Sequence, residues 1–185
     1  MSYAEARRLI DAAHAADPES AELAYADAME RWLLRLQPYA PDLLRLAARC
    51  QHLERWLVPR SSYPMDKVGY LQWRKGLYAK QADRARVLLV SAGVAATEAD
   101  AVRTWVAKIE LKANPGTQAL EDAACLVFLE GVIADFAATH ADYPREKFID
   151  IIRKTWRKMS PAGHALALTI PLPPAIGALV QEALA

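Results

Sequence analysis

The stretch that decides the fold is residues 117–140, TQALEDAACLVFLEGVIADFAATH. Its apolar residues fall on nearly every side of a helix, and a helix that is apolar all round belongs in a protein core. We therefore expect this segment to be the central helix of the chain. Glu121, Asp122 and Glu130 interrupt it, and carboxylates are rarely buried without a partner.

The same helical period of about 3.6 residues continues on both sides of this segment, and prolines and glycines divide it. Ser20, Thr97 and Thr117 are expected to cap the helices that follow them. The sequence predicts an all-α chain, a single globular domain over residues 1–185 with eight or nine helices. Their approximate bounds are 2–15, 20–36, 41–57, 67–92, 97–112, 117–140 and 144–159, with a short helix from Ser160 and a last one from Pro173.

Composition excludes several classes of protein. The chain has 185 residues, of which 54% are hydrophobic and 24% charged, so it is neither disordered nor fibrous. The formal net charge of +1 gives no global argument for nucleic acid or a membrane. The sequence contains no stretch of 18 uncharged apolar residues, so no membrane span is expected, and its N-terminus lacks the apolar run of a signal peptide. We expect Cys50 and Cys125 to be free, buried thiols, which is typical of a cytoplasmic protein. We also expect no membrane partner.

Basic and aromatic side chains crowd the window from Arg45 to Arg74. In a continuous third helix, Arg45, Arg49, His52 and Trp56 would form one stripe, because their spacings are 4, 3 and 4. Arginine presents a planar fork of donors that fits phosphate or carboxylate. The alternative is a solvated helix face whose tryptophans fill the core. The ligand-binding residues predicted in this window are Arg49, Arg55, Arg60, Ser61, Ser62, Tyr63, Trp73 and Arg74.

Two further groups of polar residues could contribute to a site. On the central helix, Glu121 and Asp122 share a side with Gln118, and they would meet basic groups or a metal. The alternative for them is a buried ion pair favoured by the helix dipole. Later in the chain, residues 153–158 are mostly basic and could contact an anionic ligand or RNA, or form a solvated helix end. Gln118, Lys154, Lys158 and His164 complete the predicted ligand-binding set.

Long blocks of this sequence resemble the domain of unknown function 4202 family, which occurs in bacteria and fungi. The blocks cover nearly the whole chain, but the resemblance implies no activity, because the family has none established. They are Cys50–Trp56, Val58–Asp66, Gly69–Arg74, Gln118–Glu130 and Lys154–Ser160, with His164 after the last.

A fainter resemblance is to the HD-domain phosphohydrolases, which are also all-helical. Gln51-His52 occupies the place of their His-Asp dyad, Gln81-Ala82 stands where many have His-Ala, and Asp122 resembles their late aspartate. This resemblance implies an HD-like helical core and a divalent metal held by His52 and Asp122. The dyad that normally supplies two metal ligands is absent from this sequence.

We therefore expect an arginine-lined pocket between the third, fourth and sixth helices that takes a small anionic, phosphorylated molecule. As an enzyme, with an HD-like hydrolase as its most concrete form, the protein would use His52, Glu121 or Asp122 to move protons. The alternative function is a non-catalytic module that binds a phosphorylated small molecule or RNA. Ile176 and Leu179 would either pack internally or form the face of a homodimer.

Overall fold

The computed structural model describes residues 3–140 and 142–185, and all secondary structure in them is helical. The prediction of an all-α chain is therefore confirmed. The chain divides into two compact units, residues 1–120 and 121–185, and the boundary falls inside one helix.

The first unit is built from five helices and the start of a sixth. Helix α1 contacts α2, α3 and α4, while α5 packs against α3 and α4. The core of this unit consists of apolar side chains that these helices turn inward, among them Ile10, Met29, Trp32, Leu46 and Leu89. The helices are α1 (Tyr3–Ala15), α2 (Ala21–Leu36), α3 (Asp42–Arg49), α4 (Lys67–Ser91), α5 (Ala96–Val106) and α6 (Pro115–Val127).

The second unit begins in α6 at Glu121 and continues through a π-helical segment, Phe128–Val132, into α7 (Ile133–Thr139). It then contains α8 (Arg145–Lys158), α9 (Pro161–Ala167) and α10 (Pro174–Leu184), and α8 packs against α10. Ile176 and Leu179 are buried. Of the two alternatives for them, internal packing is the one observed.

The third helix is shorter than its sequence period predicts. It ends at Arg49 instead of continuing to residue 57. His52 and Glu54 adopt left-handed backbone angles, with φ of 60° and 52°, which an α-helix cannot contain. The predicted stripe from Arg45 to Trp56 on one helix face is therefore wrong beyond Arg49. The fifth helix likewise ends at Val106 rather than near residue 112.

Three helix starts also differ from the predicted capping residues. Ser20 makes no side-chain cap, and the carboxylate of Asp17 instead accepts hydrogen bonds from the backbone amides at the start of α2. Asn114 accepts from the backbone of Gly116 and Thr117 at the start of α6, while the Thr117 hydroxyl donates to the carbonyl of Ile109. Thr97 lies inside α5, whose N-cap residue is Ala95 and makes no side-chain cap.

Candidate functional site

His52 lies against the first two turns of α2 because its left-handed backbone turns the side chain away from the α3 direction. Its ring stacks on Tyr25, with centroids 3.8 Å apart and planes inclined by 9°. Nδ1 of His52 lies 3.4 Å from Oε2 of Glu22. Glu22 and Tyr25 are three residues apart on α2, so both reach the same partner from one helix face.

The imidazole of His52 also contacts Arg55. Nη1 of Arg55 is 3.3 Å from each of the two ring nitrogens, so the guanidinium is shared between them. The same guanidinium lies 5.0 Å from the ring centroid of Trp73 on α4. Tyr25, His52, Arg55 and Trp73 therefore form one continuous stack within the first unit.

His52 is a weak base in this setting. Burial, together with the nearby cations Arg55 and Lys108, lowers its pKa from 6.5 to about 4, and Glu22 opposes this shift. The imidazole is consequently neutral at pH 7 and can accept a proton.

Basic and aromatic side chains continue from this stack along α4. Lys108, in the turn after α5, lies 5.0 Å from the ring centroid of Tyr78. Nε of Arg74 donates to the Tyr78 hydroxyl, and its Nη1 lies 3.4 Å from the Tyr70 hydroxyl. Lys108 also has a left-handed backbone, with φ of 60°. Among the described residues, Ser20, Glu54 and Glu110 have similar left-handed angles.

We call this region the basic–aromatic surface. It comprises His52, Arg55, Trp73, Arg74, Tyr78 and Lys108, all in the first unit. Of the predicted ligand-binding residues, Arg55 contacts His52 and Trp73 contacts Arg55, while Arg74 contacts Tyr78, which also lies against Lys108. Glu22, Tyr25 and Lys108 were not among the site residues predicted from the sequence.

Arg49, predicted as a ligand-binding residue, is instead the centre of a buried ionic cluster. Its side chain is 1% exposed and its guanidinium pairs with Asp11, Asp27 and Glu30 at 2.5, 2.7 and 3.1 Å. Glu30 also accepts from Arg7, Arg45 and Tyr3. Arg49 therefore joins α1, α2 and α3.

An open groove of about 600 Å³ lies over this ionic cluster. It differs from the pocket that the sequence predicts, because its lining comes from α1, α2 and α3. The lining residues are Tyr3, Arg7, Asp27, Glu30, Arg31, Leu34 and Arg45.

Arg60 and the Ser62 hydroxyl of the predicted anion-binding loop bind the loop's own backbone. Arg60 donates to the carbonyls of Tyr63, Pro64 and Asp66 at 3.1, 2.6 and 3.1 Å. The Ser62 hydroxyl donates to the Pro59 carbonyl, and Ser61 is exposed. Arg60 thus holds the loop against the start of α4.

Asp122 joins the end of α8 to the start of α9 in the second unit. It is 3% exposed and accepts from the Ser160 amide at 2.8 Å and from the Ser160 hydroxyl at 2.6 Å. Ser160 in turn accepts from the amide of Gly163 and caps α9. Oε1 of Glu121, also buried, lies 3.4 Å from Nζ of Lys158, whose side chain is 39% exposed.

The remaining predicted ligand residues have neighbours of their own. Nε2 of His164 lies 2.8 Å from the Trp156 carbonyl oxygen, and the His164 ring stacks on Trp156 with centroids 4.1 Å apart. Lys154 pairs with Asp150 on α8. Gln118 is half-buried in the first turn of α6.

A divalent metal does not fit the surroundings of His52. The guanidinium of Arg55 lies against both ring nitrogens, where a cation would repel a metal ion. In the described part of the chain, no three His, Cys, Asp or Glu side chains are grouped to hold a metal.

Comparison with known proteins gives one match. A family model described as a domain of unknown function, DUF4202, matches residues 4–180. No curated protein and no solved structure matches the chain. Within residues 3–140 and 142–185, no helix has the length and apolar character needed to cross a membrane.

Proposed function

The chain belongs to the DUF4202 family, whose description names no activity, and we propose from its own site that it is an enzyme acting on a small phosphorylated molecule. The ligand would bind at the basic–aromatic surface. Arg55, Arg74 and Lys108 would neutralise its negative charge, and His52 would move the proton.

Arg55 is the observation that carries this proposal. Its guanidinium is half-buried and is held between the His52 ring and Trp73. Among the described residues no carboxylate lies within ion-pair distance of it. A positioned guanidinium without a counter-ion favours an anion supplied by a ligand, and its fork of donors matches phosphate oxygens.

The neutral His52 supports a reaction rather than binding alone. A phosphate bound beside Arg55 would raise the pKa of His52 toward neutral pH, because negative charge favours the protonated ring. His52 could then take a proton from a water molecule while the water oxygen bonds to phosphorus. The bond from phosphorus to the leaving oxygen breaks, and the arginines stabilise the charge that develops. We propose hydrolysis of a phosphoester by this route, which involves no metal.

Binding of inorganic phosphate and pyrophosphate tests the anion site. We expect both to bind the wild-type protein in a calorimetric titration, and Arg55→Ala to weaken binding about tenfold or more, since a hydrogen bond to a charged group contributes about 1.5–3 kcal/mol. Arg86→Ala is the matched control, because Arg86 is on α4 but pairs with Asp100. Equal affinities for the two variants, or absence of binding, would refute the proposed site.

A turnover assay distinguishes an enzyme from the alternative, which is a non-catalytic module that binds a phosphorylated molecule or RNA. A panel of phosphomonoesters and phosphodiesters is incubated with the wild-type protein and with His52→Gln. If the protein is an enzyme, we expect the wild type to release phosphate and His52→Gln to lose this activity while still binding pyrophosphate. Pyrophosphate binding without release of phosphate from any ester favours the non-catalytic module. An RNA oligomer that displaces pyrophosphate would identify RNA as the ligand.

A further inference from the structure

Glu22 has a relationship to His52 that the proposed reaction has not used. Its side chain is 14% exposed, and its Oε2 is the carboxylate oxygen that faces Nδ1 of the half-buried ring at 3.4 Å. Asp17 accepts a hydrogen bond from the Glu22 amide at 3.2 Å, so the helix cap fixes the backbone from which this carboxylate extends. The backbone that carries Glu22 is therefore held independently of His52.

Three charged groups surround the His52 ring. Glu22 reaches it from α2, Arg55 from the turn that follows His52, and Lys108 from the turn after α5. Glu22 is the acceptor in this set, whereas the two cations have only hydrogens to offer. A neutral imidazole carries one proton, and a carboxylate beside one nitrogen stabilises the proton on that nitrogen.

We infer that Glu22 is a positioning residue, which holds the proton of His52 on Nδ1 and so leaves the lone pair on Nε2. The catalytic meaning of this inference rests on the proposed function, because it identifies Nε2 as the atom that would accept the proton. The arrangement itself can be measured without any substrate. Tyr25 contributes by stacking on the ring and fixing the plane in which both nitrogens lie.

The tautomer of His52 is the direct test. Long-range ¹H–¹⁵N spectra of the full chain at pH 7 distinguish the two tautomers, because a ring nitrogen that carries a proton has a different ¹⁵N chemical shift from one that does not. We expect the Nδ1–H form for His52 in the wild-type protein. In Glu22→Ala the ring should move toward the Nε2–H form, which free histidine prefers in water. Wild-type His52 in the Nε2–H form, or an unchanged tautomer in Glu22→Ala, would overturn the inference.

Two variants keep this test decisive. Glu22→Gln preserves the size of the side chain, and its amide can either accept from Nδ1 or donate to it, so we expect a mixture of tautomers. Glu22→Gln takes the place of Glu22→Ala in the test if Glu22→Ala does not fold. Glu98→Ala is the matched control, because Glu98 occupies the first turn of α5 and removes the same charge from a helix start. We expect it to leave the His52 spectrum unchanged, and the same change in Glu98→Ala as in Glu22→Ala would also overturn the inference.

The outcomes distinguish this inference from the proposed function. If Glu22→Ala changes the tautomer but phosphate and pyrophosphate do not bind the wild-type protein, the positioning role of Glu22 stands and the anion site fails. If the anions bind and the tautomer does not depend on Glu22, the anion site stands and the positioning role fails.

Discussion

Arg49 and Glu30 form an ion pair inside the first unit, with Nη1 and Oε2 3.1 Å apart and side chains 1% and 7% exposed. The pair belongs to a cluster in which Arg49 also binds Asp11 and Asp27. Three helices therefore meet through one guanidinium, and the arginine is engaged entirely by its own chain.

Removing this guanidinium should destabilise the protein strongly. Arg49→Ala leaves Glu30 with Arg7 and Arg45 but takes a partner from every acid of the cluster, and breaking a buried pair in this way costs about 3–5 kcal/mol. Urea denaturation measures the free energy of unfolding. Arg103→Ala, which removes an exposed pair with Asp83, should change it little. A small effect of Arg49→Ala with weaker phosphate binding would instead support the ligand role predicted from the sequence.

The protonation of His52 should occur well below the ordinary range. Its pKa of about 4 in the folded chain against 6.5 in the unfolded chain means that the unfolded chain takes up the proton first as the pH falls. The contribution of His52 to stability is thus present above about pH 6.5 and is lost as the pH falls toward 4. An NMR titration gives the pKa directly, and Arg55→Ala should raise it because a neighbouring positive charge is removed. A pKa near 6.5 in the wild-type protein would contradict the burial of this ring.

Replacing Arg60 should loosen the loop before α4 rather than abolish phosphate binding. Arg60→Ala removes three hydrogen bonds to the carbonyls of Tyr63, Pro64 and Asp66. We expect faster amide hydrogen exchange in residues 63–70, measured by mass spectrometry, with pyrophosphate affinity within about twofold of the wild type, since the lost bonds are all internal. Lys67→Ala is the control, because Lys67 is an exposed neighbour. Loss of pyrophosphate binding with unchanged exchange would restore Arg60 as a ligand-binding residue.

Asp122 should contribute to stability through Ser160. Asp122→Ala leaves the Ser160 amide and hydroxyl without this acceptor, which costs about 1–3 kcal/mol for buried groups. Thermal unfolding compares it with Asp135→Ala, a substitution of an exposed aspartate on α7. Undiminished stability together with loss of turnover would assign Asp122 the catalytic role that the sequence predicts.

The sequence predicts most helices correctly because proline and the 3.6-residue period act locally. Pro144, Ser160-Pro161 and Pro173-Pro174 each lie at a helix start as expected. The end of α3 could not be predicted, since His52 adopts a left-handed backbone without being glycine. The caps Asp17 and Asn114 could have been predicted, because each precedes a proline. Asp-Pro and Asn-Pro dipeptides favour the start of a turn.

The candidate site was only partly predictable for a different reason. His52, Arg55, Trp73 and Arg74 are close in sequence, and the spacing of charge and aromatic residues identified them. Glu22 and Lys108 come from segments 30 and 56 residues away from His52, and only the packing of helices brings them near. Arg49 shows the opposite error, because its acidic partners Asp11, Asp27 and Glu30 lie 38, 22 and 19 residues away and cannot be inferred from one helix.

The hydrogen bonds between Asp122 and Ser160 at the start of α9 also limit which residue can occupy position 163. A Cβ atom on Gly163 would lie 2.9 Å from Oδ1 of Asp122, closer than real side chains approach. The glycine and the aspartate are consequently interdependent during evolution. A larger residue at position 163 requires the acid at 122 to be shortened or shifted, so replacement of the glycine depends on the residue at 122.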